Sequence, residues 1–447
     1  MSLKMRSASA PAQTISADHA ANLVKSGMWI DYGAVLCQPD VFDQALGARI
    51  SELMDLKIRK CLTMRPRAVM TNDPDGKHMH VFNTHFSGYD RGMYDAGRCS
   101  YIPVNLGEVP DYYRRFIDPV DIVILKTCPM DEGGFFNFGP SSLWHRAIIE
   151  RAKTVIVETC TSVPYAFGDG NGVHVSEVDY ILDGGETPLP ELPNPSTSEI
   201  DQTVARFITS EIEDGACLQI GIGGMPNAVC SLLANSGLKD LGVHTEMMTD
   251  GIAELYRGGH INSARKKLDP GKIVYSFAAG SKALYDTLDR NPDMLCQSVD
   301  YTNLPQNIMQ NPRTIAINST TQVDLTGQAA SESDGNRHLT GTGGQAQFVR
   351  GAYASEGGKS IICLPSTYEK RGKRRSRIVF NLTTGNIVTT TRADMMYVVT
   401  EYGIINLKGK SVAERANALI SIAHPDFRED LERQAFESRL LPRGFNF

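Results

Sequence analysis

Positive charge is in short supply. The chain carries 45 Lys and Arg against 51 Asp and Glu, a net charge of -6. A general nucleic-acid binder would instead show a basic surface, so nucleic acid is not an expected partner. No apolar run approaches the roughly 20 residues needed to span a bilayer, and a membrane is not an expected partner either. The first residues, Met1-Ser2-Leu3-Lys4-Met5-Arg6-Ser7-Ala8, contain no apolar core of a secretory signal. Met1 to Lys4 reads as a leader ahead of Met5. The nine cysteines are scattered, odd in number and without a C-x-x-C pair. That pattern points to a reduced, cytoplasmic protein with inert buried thiols. Metal-ligand spacing is missing as well. His78 and His80 lie two apart with no cysteine or glutamate beside them, so no metal is expected.

What is present fits an ordinary globular protein, with 41% hydrophobic and 21% charged residues. A length of 447 residues exceeds one ordinary core, so two domains are expected. Residues 182–199, LDGGETPLPELPNPSTSE, hold four prolines and no apolar periodicity. A boundary there predicts an N-terminal α/β domain over 1–190 and a C-terminal α/β domain over 191–447.

Both halves start alike. A helical stretch over 17–25 leads to Gly27, a strand over 28–32, Gly33 and Pro39. A helical stretch over 198–213 leads to Gly215, a strand over 216–220, Gly221 and Pro226. The glycines are spaced alike, whereas the prolines differ by one residue in register. A degenerate duplication accounts for this, although Gly-strand-Gly-Pro also arises by chance. Short aliphatic strands at 122–125, 154–158, 272–275, 314–317, 360–364 and 396–400 alternate with helical patterns such as 141–152 and 281–291. That alternation predicts open, mostly parallel sheets. Residues 377–380 and 385–391 read as a hairpin, which would make the second sheet mixed.

Four segments bear on chemistry. Gly221-Ile222-Gly223-Gly224-Met225-Pro226 follows a strand and precedes a helical pattern over 227–233. Its glycines permit a tight turn with N–H groups aimed at an anion, although a plain strand-to-helix turn looks the same. Pro226 and Asn227 stand where a dinucleotide fingerprint would continue, which argues against a nucleotide-dependent oxidoreductase. Glu246, in His244-Thr245-Glu246, follows a short strand, where α/β proteins place ligands. Thr249 or Asp250 beside it could equally cap a helix. A carboxylate can attack a thioester, and N–H groups can hold the resulting oxyanion. Gly341-Thr342-Gly343-Gly344-Gln345 is a second glycine turn, with a flexible surface loop as its plain alternative. Finally, Lys370-Arg371-Gly372-Lys373-Arg374-Arg375-Ser376-Arg377 is uninterrupted by acid. Such a run is usually a solvated hairpin tip, but it could also meet phosphates of a ligand or an acidic partner.

These segments resemble the acetyl-CoA hydrolase/4-hydroxybutyrate CoA-transferase group. The likeness extends to Ile317-Asn318-Ser319, Val323-Asp324-Leu325-Thr326-Gly327-Gln328, Phe348-Val349-Arg350-Gly351-Ala352, Val398-Val399-Thr400-Glu401-Tyr402-Gly403 and Ile422-Ala423-His424-Pro425-Asp426-Phe427-Arg428. Tyr101-Ile102-Pro103-Val104, Pro129-Met130-Asp131 and Phe136-Asn137-Phe138-Gly139 carry it in the first half. The resemblance implies a class I CoA-transferase of two similar open-sheet α/β domains facing each other across a cleft. It implies Glu246 as nucleophile, with a glutamyl-CoA thioester as intermediate. Gly221, Ile222, Gly223, Gly224 and Met225 would contact CoA. Gly341, Gly343 and Gly344 would help hold CoA and the oxyanion. CoA is then a substrate, no tightly bound cofactor is needed, and the assembly is a homodimer or higher homo-oligomer.

Four features depart from the group: Gln347 for an acid, Asn105 for a histidine, Cys37-Gln38-Pro39 for a glycine-rich acidic turn, and the rich basic run. Those in the first half make the acid substrate an open choice. It ranges from acetate, butyrate or 4-hydroxybutyrate to a dicarboxylate such as succinate or itaconate. Acyl-CoA hydrolysis shares every motif, and a non-catalytic acyl-CoA binder would keep the fold without needing Glu246.

Overall fold

The computed structural model describes Ala8 and residues 10–442, so the leader read at residues 1–4 lies outside the described residues. The chain divides into two compact units. The first runs to Pro193 and also takes in Glu246–Asp250 and Val274–Thr302. The second comprises Asn194–Thr245, Gly251–Ile273 and the chain from Asn303 onward.

The first unit is built on an eight-stranded sheet. Its spatial order is Gln13–Ile15, Tyr180–Asp183, Thr154–Thr159, Ile122–Thr127, Trp29–Ala34, Leu56–Cys61, Met79–Asn83, Cys99–Tyr101. Every neighbouring pair is parallel. Parallel strands need crossovers that cover both faces, so central strands read as continuous apolar runs. Ile122–Thr127 is buried at every position. Tyr32, Phe42, Leu46, Ile58 and Ile124 form the centre of this core.

The second unit holds a six-stranded sheet in the order Gly242–Val243, Cys217–Ile220, Thr314–Ser319, Lys359–Cys363, Tyr397–Thr400, Gly403–Asn406. All pairs are parallel except the last. The sheet is therefore mixed, but not through the hairpin expected at 377–391. Ile378–Val379 instead pairs parallel with Val323–Asp324. The N–H groups of Thr389 and Thr390 are spent on the carbonyl of Ala329. The hairpin that does form is Thr367–Lys370 with Lys373–Ser376.

Both sheets have a switch point, where successive connections leave a strand in opposite directions. In the first it lies between Trp29–Ala34 and Ile122–Thr127, and in the second between Cys217–Ile220 and Thr314–Ser319. Ligands in open α/β sheets bind beyond the carboxyl ends of such strands.

Candidate active site

The first glycine turn occupies the switch point of the second unit. Strand Cys217–Ile220 ends there, and helix Gly224–Ala234 starts three residues earlier than the apolar pattern predicts. Pro226 does not delay it, because proline is tolerated in a first helical turn. Gly223 caps the helix with φ 125° and ψ 178°, a conformation open to glycine, and among the described residues no side chain caps its N–H groups. A Cβ on Gly221 would find its nearest neighbour, the Ile317 carbonyl oxygen, 3.9 Å away. Ile222 is 54% exposed, while Met225 is buried. Gly224 differs: a Cβ there would lie 2.8 Å from the Asp201 carboxylate, so its role includes helix packing. Across the switch point, the Asn318 amide donates to Gln219 Oε1 at 3.0 Å. The result is an open turn with unclaimed helix N-terminal donors, the arrangement that takes an anion.

The second glycine turn joins this edge by topology. Helix Gln345–Ala354 is the crossover between the parallel strands Thr314–Ser319 and Lys359–Cys363. It runs back along the sheet, so its N-terminus lies at the strands' carboxyl edge. Gly341, Gly343 and Gly344 are buried, and Gly344 is the helix cap, again without a side-chain partner. Beneath lies a carboxyl group that no sequence pattern marked. Glu332 accepts hydrogen bonds from Thr389 (3.0 Å) and Thr342 (3.4 Å). Burial raises its pKa, against the lowering effect of those two bonds. Gln345 is fixed by bonds from its amide to Ser331 (2.9 Å) and Thr390 (3.0 Å).

Glu246 follows strand Gly242–Val243 but groups with the first unit. Its carbonyl accepts the N–H groups of Ser276 (2.9 Å) and Phe277 (3.2 Å), beside the parallel pair of Met247–Met248 with Phe277–Ala278. The residue is half-buried. Burial pushes the Cys61 thiol far above its ordinary value, and the Asp90 and Glu246 carboxylates add to the rise. The Glu246 charge is thus felt at the carboxyl end of strand Leu56–Cys61. Asp250 opens helix Asp250–Arg257, but its carboxylate serves another helix. It accepts from Ser281 N–H at 3.0 Å and from the Ser281 hydroxyl, the residue capping Lys282–Leu288.

Two family models match the chain: the acetyl-CoA hydrolase/transferase N-terminal domain over residues 3–193 and the C-terminal domain over residues 280–435. The chain belongs to the acetyl-CoA hydrolase/transferase family. It is an enzyme of CoA transfer. It is 44% identical over 432 residues to the butyryl-CoA:acetate CoA-transferase of Anaerostipes caccae, covering 96% of this chain and 97% of that one. It is 40% identical over 417 residues to the 4-hydroxybutyrate coenzyme A transferase of Clostridium kluyveri, covering 93% and 96%. The fold overlays the crystal structure of RipA from Yersinia pestis with a TM-score of 0.88 at 34% identity, covering 96% and 98%.

Within this family member, the unusual residues of the first half are engaged by their own unit. The Cys37 thiol contacts the Phe138 carbonyl at 3.2 Å, and burial pushes its pKa up to about 12. The Gln38 amide donates to the Cys61 carbonyl at 2.8 Å, and its oxygen accepts from Arg67 at 3.1 Å. Asn105 binds Glu108 at 3.0 Å. His78 and His80 are also committed, to the Leu53 carbonyl and the Ser100 hydroxyl, both at 2.8 Å. Among the described residues there is no cluster of metal-ligating side chains, and no helix is long and apolar enough to cross a membrane.

Proposed function

We propose that this enzyme moves CoA between an acyl-CoA and a small carboxylic acid in a ping-pong reaction on Glu246. The Glu246 carboxylate attacks the thioester carbonyl and expels CoA thiolate, leaving a mixed anhydride. The thiolate attacks the glutamyl carbonyl of that anhydride and releases the first acid. A glutamyl-CoA thioester remains. The second acid attacks it, forming a new anhydride and thiolate, and thiolate attack on the acyl carbonyl frees the product and Glu246.

The observation that carries this reading is the open turn at Gly221-Ile222-Gly223, uncapped and at a switch point. Its free N–H groups suit an anionic ligand such as CoA. The buried turn at Gly341, Gly343 and Gly344 supplies a second helix N-terminus on the same edge. One preorganised donor to a developing oxyanion is worth about 3–4 kcal/mol, and positioning contributes roughly 7–11 kcal/mol. A carboxylate, weak as a nucleophile in water, needs both.

The acids we propose are short monocarboxylates, as in the names of the two curated relatives. A dicarboxylate would require a spare cation or amide beside the acyl group. The Gln38 amide is committed, Lys60 is ion-paired with Asp90, and Arg67 is paired with Asp40 at 2.8 Å. A reducing, cytoplasmic setting fits nine buried cysteines, all unbridged. A homo-oligomer completes the reading, and sedimentation of the purified protein tests it.

The decisive experiment is intact-mass spectrometry after mixing with acetyl-, butyryl- or succinyl-CoA and no acceptor. A covalent CoA adduct on Glu246, absent in Glu246→Gln, is expected, with transfer in that variant falling at least about a thousandfold. CoA released as free thiol without an adduct or acceptor would favour hydrolysis. Transfer surviving in Glu246→Ala would remove Glu246 from the mechanism.

A further inference from the structure

The basic run is a hairpin, Thr367–Lys370 with Lys373–Ser376, closed by Arg371 and Gly372. Its register sorts the cations by face. Glu369 pairs opposite Arg374 on one face. There Arg374 contacts Asp426 at 3.2 Å. Beyond the hairpin's end, Arg377 stacks on the ring of Tyr368, a residue of the opposite face, at 4.8 Å and donates to the Thr321 carbonyl at 3.0 Å. The other face carries Tyr368 opposite Arg375 and Lys370 opposite Lys373. Like charges placed directly opposite destabilise a strand pair. Lys370 has one acid, Asp334, at 2.9 Å. Among the described residues, Arg371, Lys373 and Arg375 have no carboxylate within ion-pair distance. Among the described residues, Lys370, Arg371, Lys373 and Arg375 line a groove of about 360 Å³. An isolated hairpin gains nothing from this arrangement, and an anion in the groove offsets its repulsion.

Topology says which anion. The hairpin leaves the carboxyl end of strand Lys359–Cys363, the same sheet edge that carries both glycine turns. Its base is anchored there by Ser366, whose N–H and hydroxyl bind Glu401 at 2.8 and 2.6 Å. Through Lys370 and Asp334 it touches the small pair Ser333–Asp334 with Arg337–His338, which leads directly into Gly341. We propose that Lys370, Lys373 and Arg375 grip the 3′-phosphate of CoA while the glycine turns receive the thioester end. The inference rests on the CoA reading above. It adds a specificity element for CoA over its dephospho form, since a phosphate makes strong charge-assisted bonds to such a cluster.

The test is calorimetric titration with CoA and with 3′-dephospho-CoA, which needs no turnover. The wild-type protein is expected to bind CoA about tenfold more tightly than dephospho-CoA, a preference that weakens as salt rises. Lys370→Ala/Lys373→Ala/Arg375→Ala should bind the two alike, whereas Lys370→Arg/Lys373→Arg should keep the preference. An undiminished preference in the triple variant, or none in the wild type, overturns the assignment. A wild type that shows the preference but forms no adduct in the mass experiment would leave this assignment standing and count against the glutamyl-CoA intermediate.

Discussion

The two units place a glycine at the same point, the end of the strand beside the switch, and then treat it in opposite ways. After Gly33, with φ 65°, the chain runs through Val35, Leu36, Cys37 and Gln38, all at most 2% exposed, before helix Val41–Ala48 begins. A Cβ on Gly33 would lie 2.5 Å from Leu125 and 2.9 Å from the His145 ring. His145 Nε2 also accepts the Ala34 N–H at 3.1 Å. The crevice of the first unit is therefore plugged by an imidazole and its backbone donor is spent. After Gly221 the helix begins within three residues, the intervening Ile222 faces solvent, and no side chain among the described residues takes the donors. One architecture yields a packed turn and an anion-ready turn, and the difference lies in the residues after the glycine rather than in the glycine itself.

Substituting the glycines should separate the two uses. Gly33→Ala meets both a methyl-filled neighbourhood and a left-handed φ. Overpacking and backbone strain together should cost about 3 kcal/mol or more, and the protein should melt at a markedly lower temperature or fail to accumulate. Calorimetry of the purified variant would read this. An unchanged melting temperature would mean the plug is looser than its distances suggest.

The plug should also make the first unit acid-sensitive. Burial pulls the His145 pKa down from 6.5 to about 4. Between those values the unfolded chain binds a proton that the folded state refuses. Stability is therefore greatest above pH 6.5 and falls as pH drops toward 4, with no further loss from this group below. The full effect is on the order of 3 kcal/mol. Melting temperature against pH should slope over that window, and the slope should flatten in His145→Gln, even though that variant is less stable throughout. A wild-type profile flat from pH 6.5 to 4 would show that His145 is reached by water.

Much of this was legible in the sequence. The strand–helix alternation foretold open, mostly parallel sheets, and the paired Gly-strand-Gly stretches fall on the two strands that end beside the switch points. What stayed hidden depends on distant partners. Nothing near Gly33 announces that His145, more than a hundred residues away, fills its crevice. Glu332 sits in an ordinary polar stretch, and only the fold buries it beneath the second glycine turn. The sequence also favoured a hairpin at 377–391, because local β-propensity cannot show that Val323–Asp324 offers Ile378–Val379 a better neighbour. The basic hairpin was visible as charge, but its sorting into a neutralised face and an open one comes from register alone.

The smallest change in stability should come from the other turn. In Gly221→Ala the new methyl meets no atom closer than 3.9 Å, and the backbone there has no positive φ, so the fold should lose less than about 1 kcal/mol. Yet on the proposed reading that methyl would stand in the ligand's path to the helix N-terminus, and the Michaelis constant for acyl-CoA should rise about tenfold. Stability and function thus part company in opposite directions at two equivalent glycines. Steady-state kinetics beside calorimetry for Gly33→Ala and Gly221→Ala would show it. Equal melting temperatures for the pair, or an unaltered Michaelis constant in Gly221→Ala, would mean that the open turn is only a strand-to-helix connection.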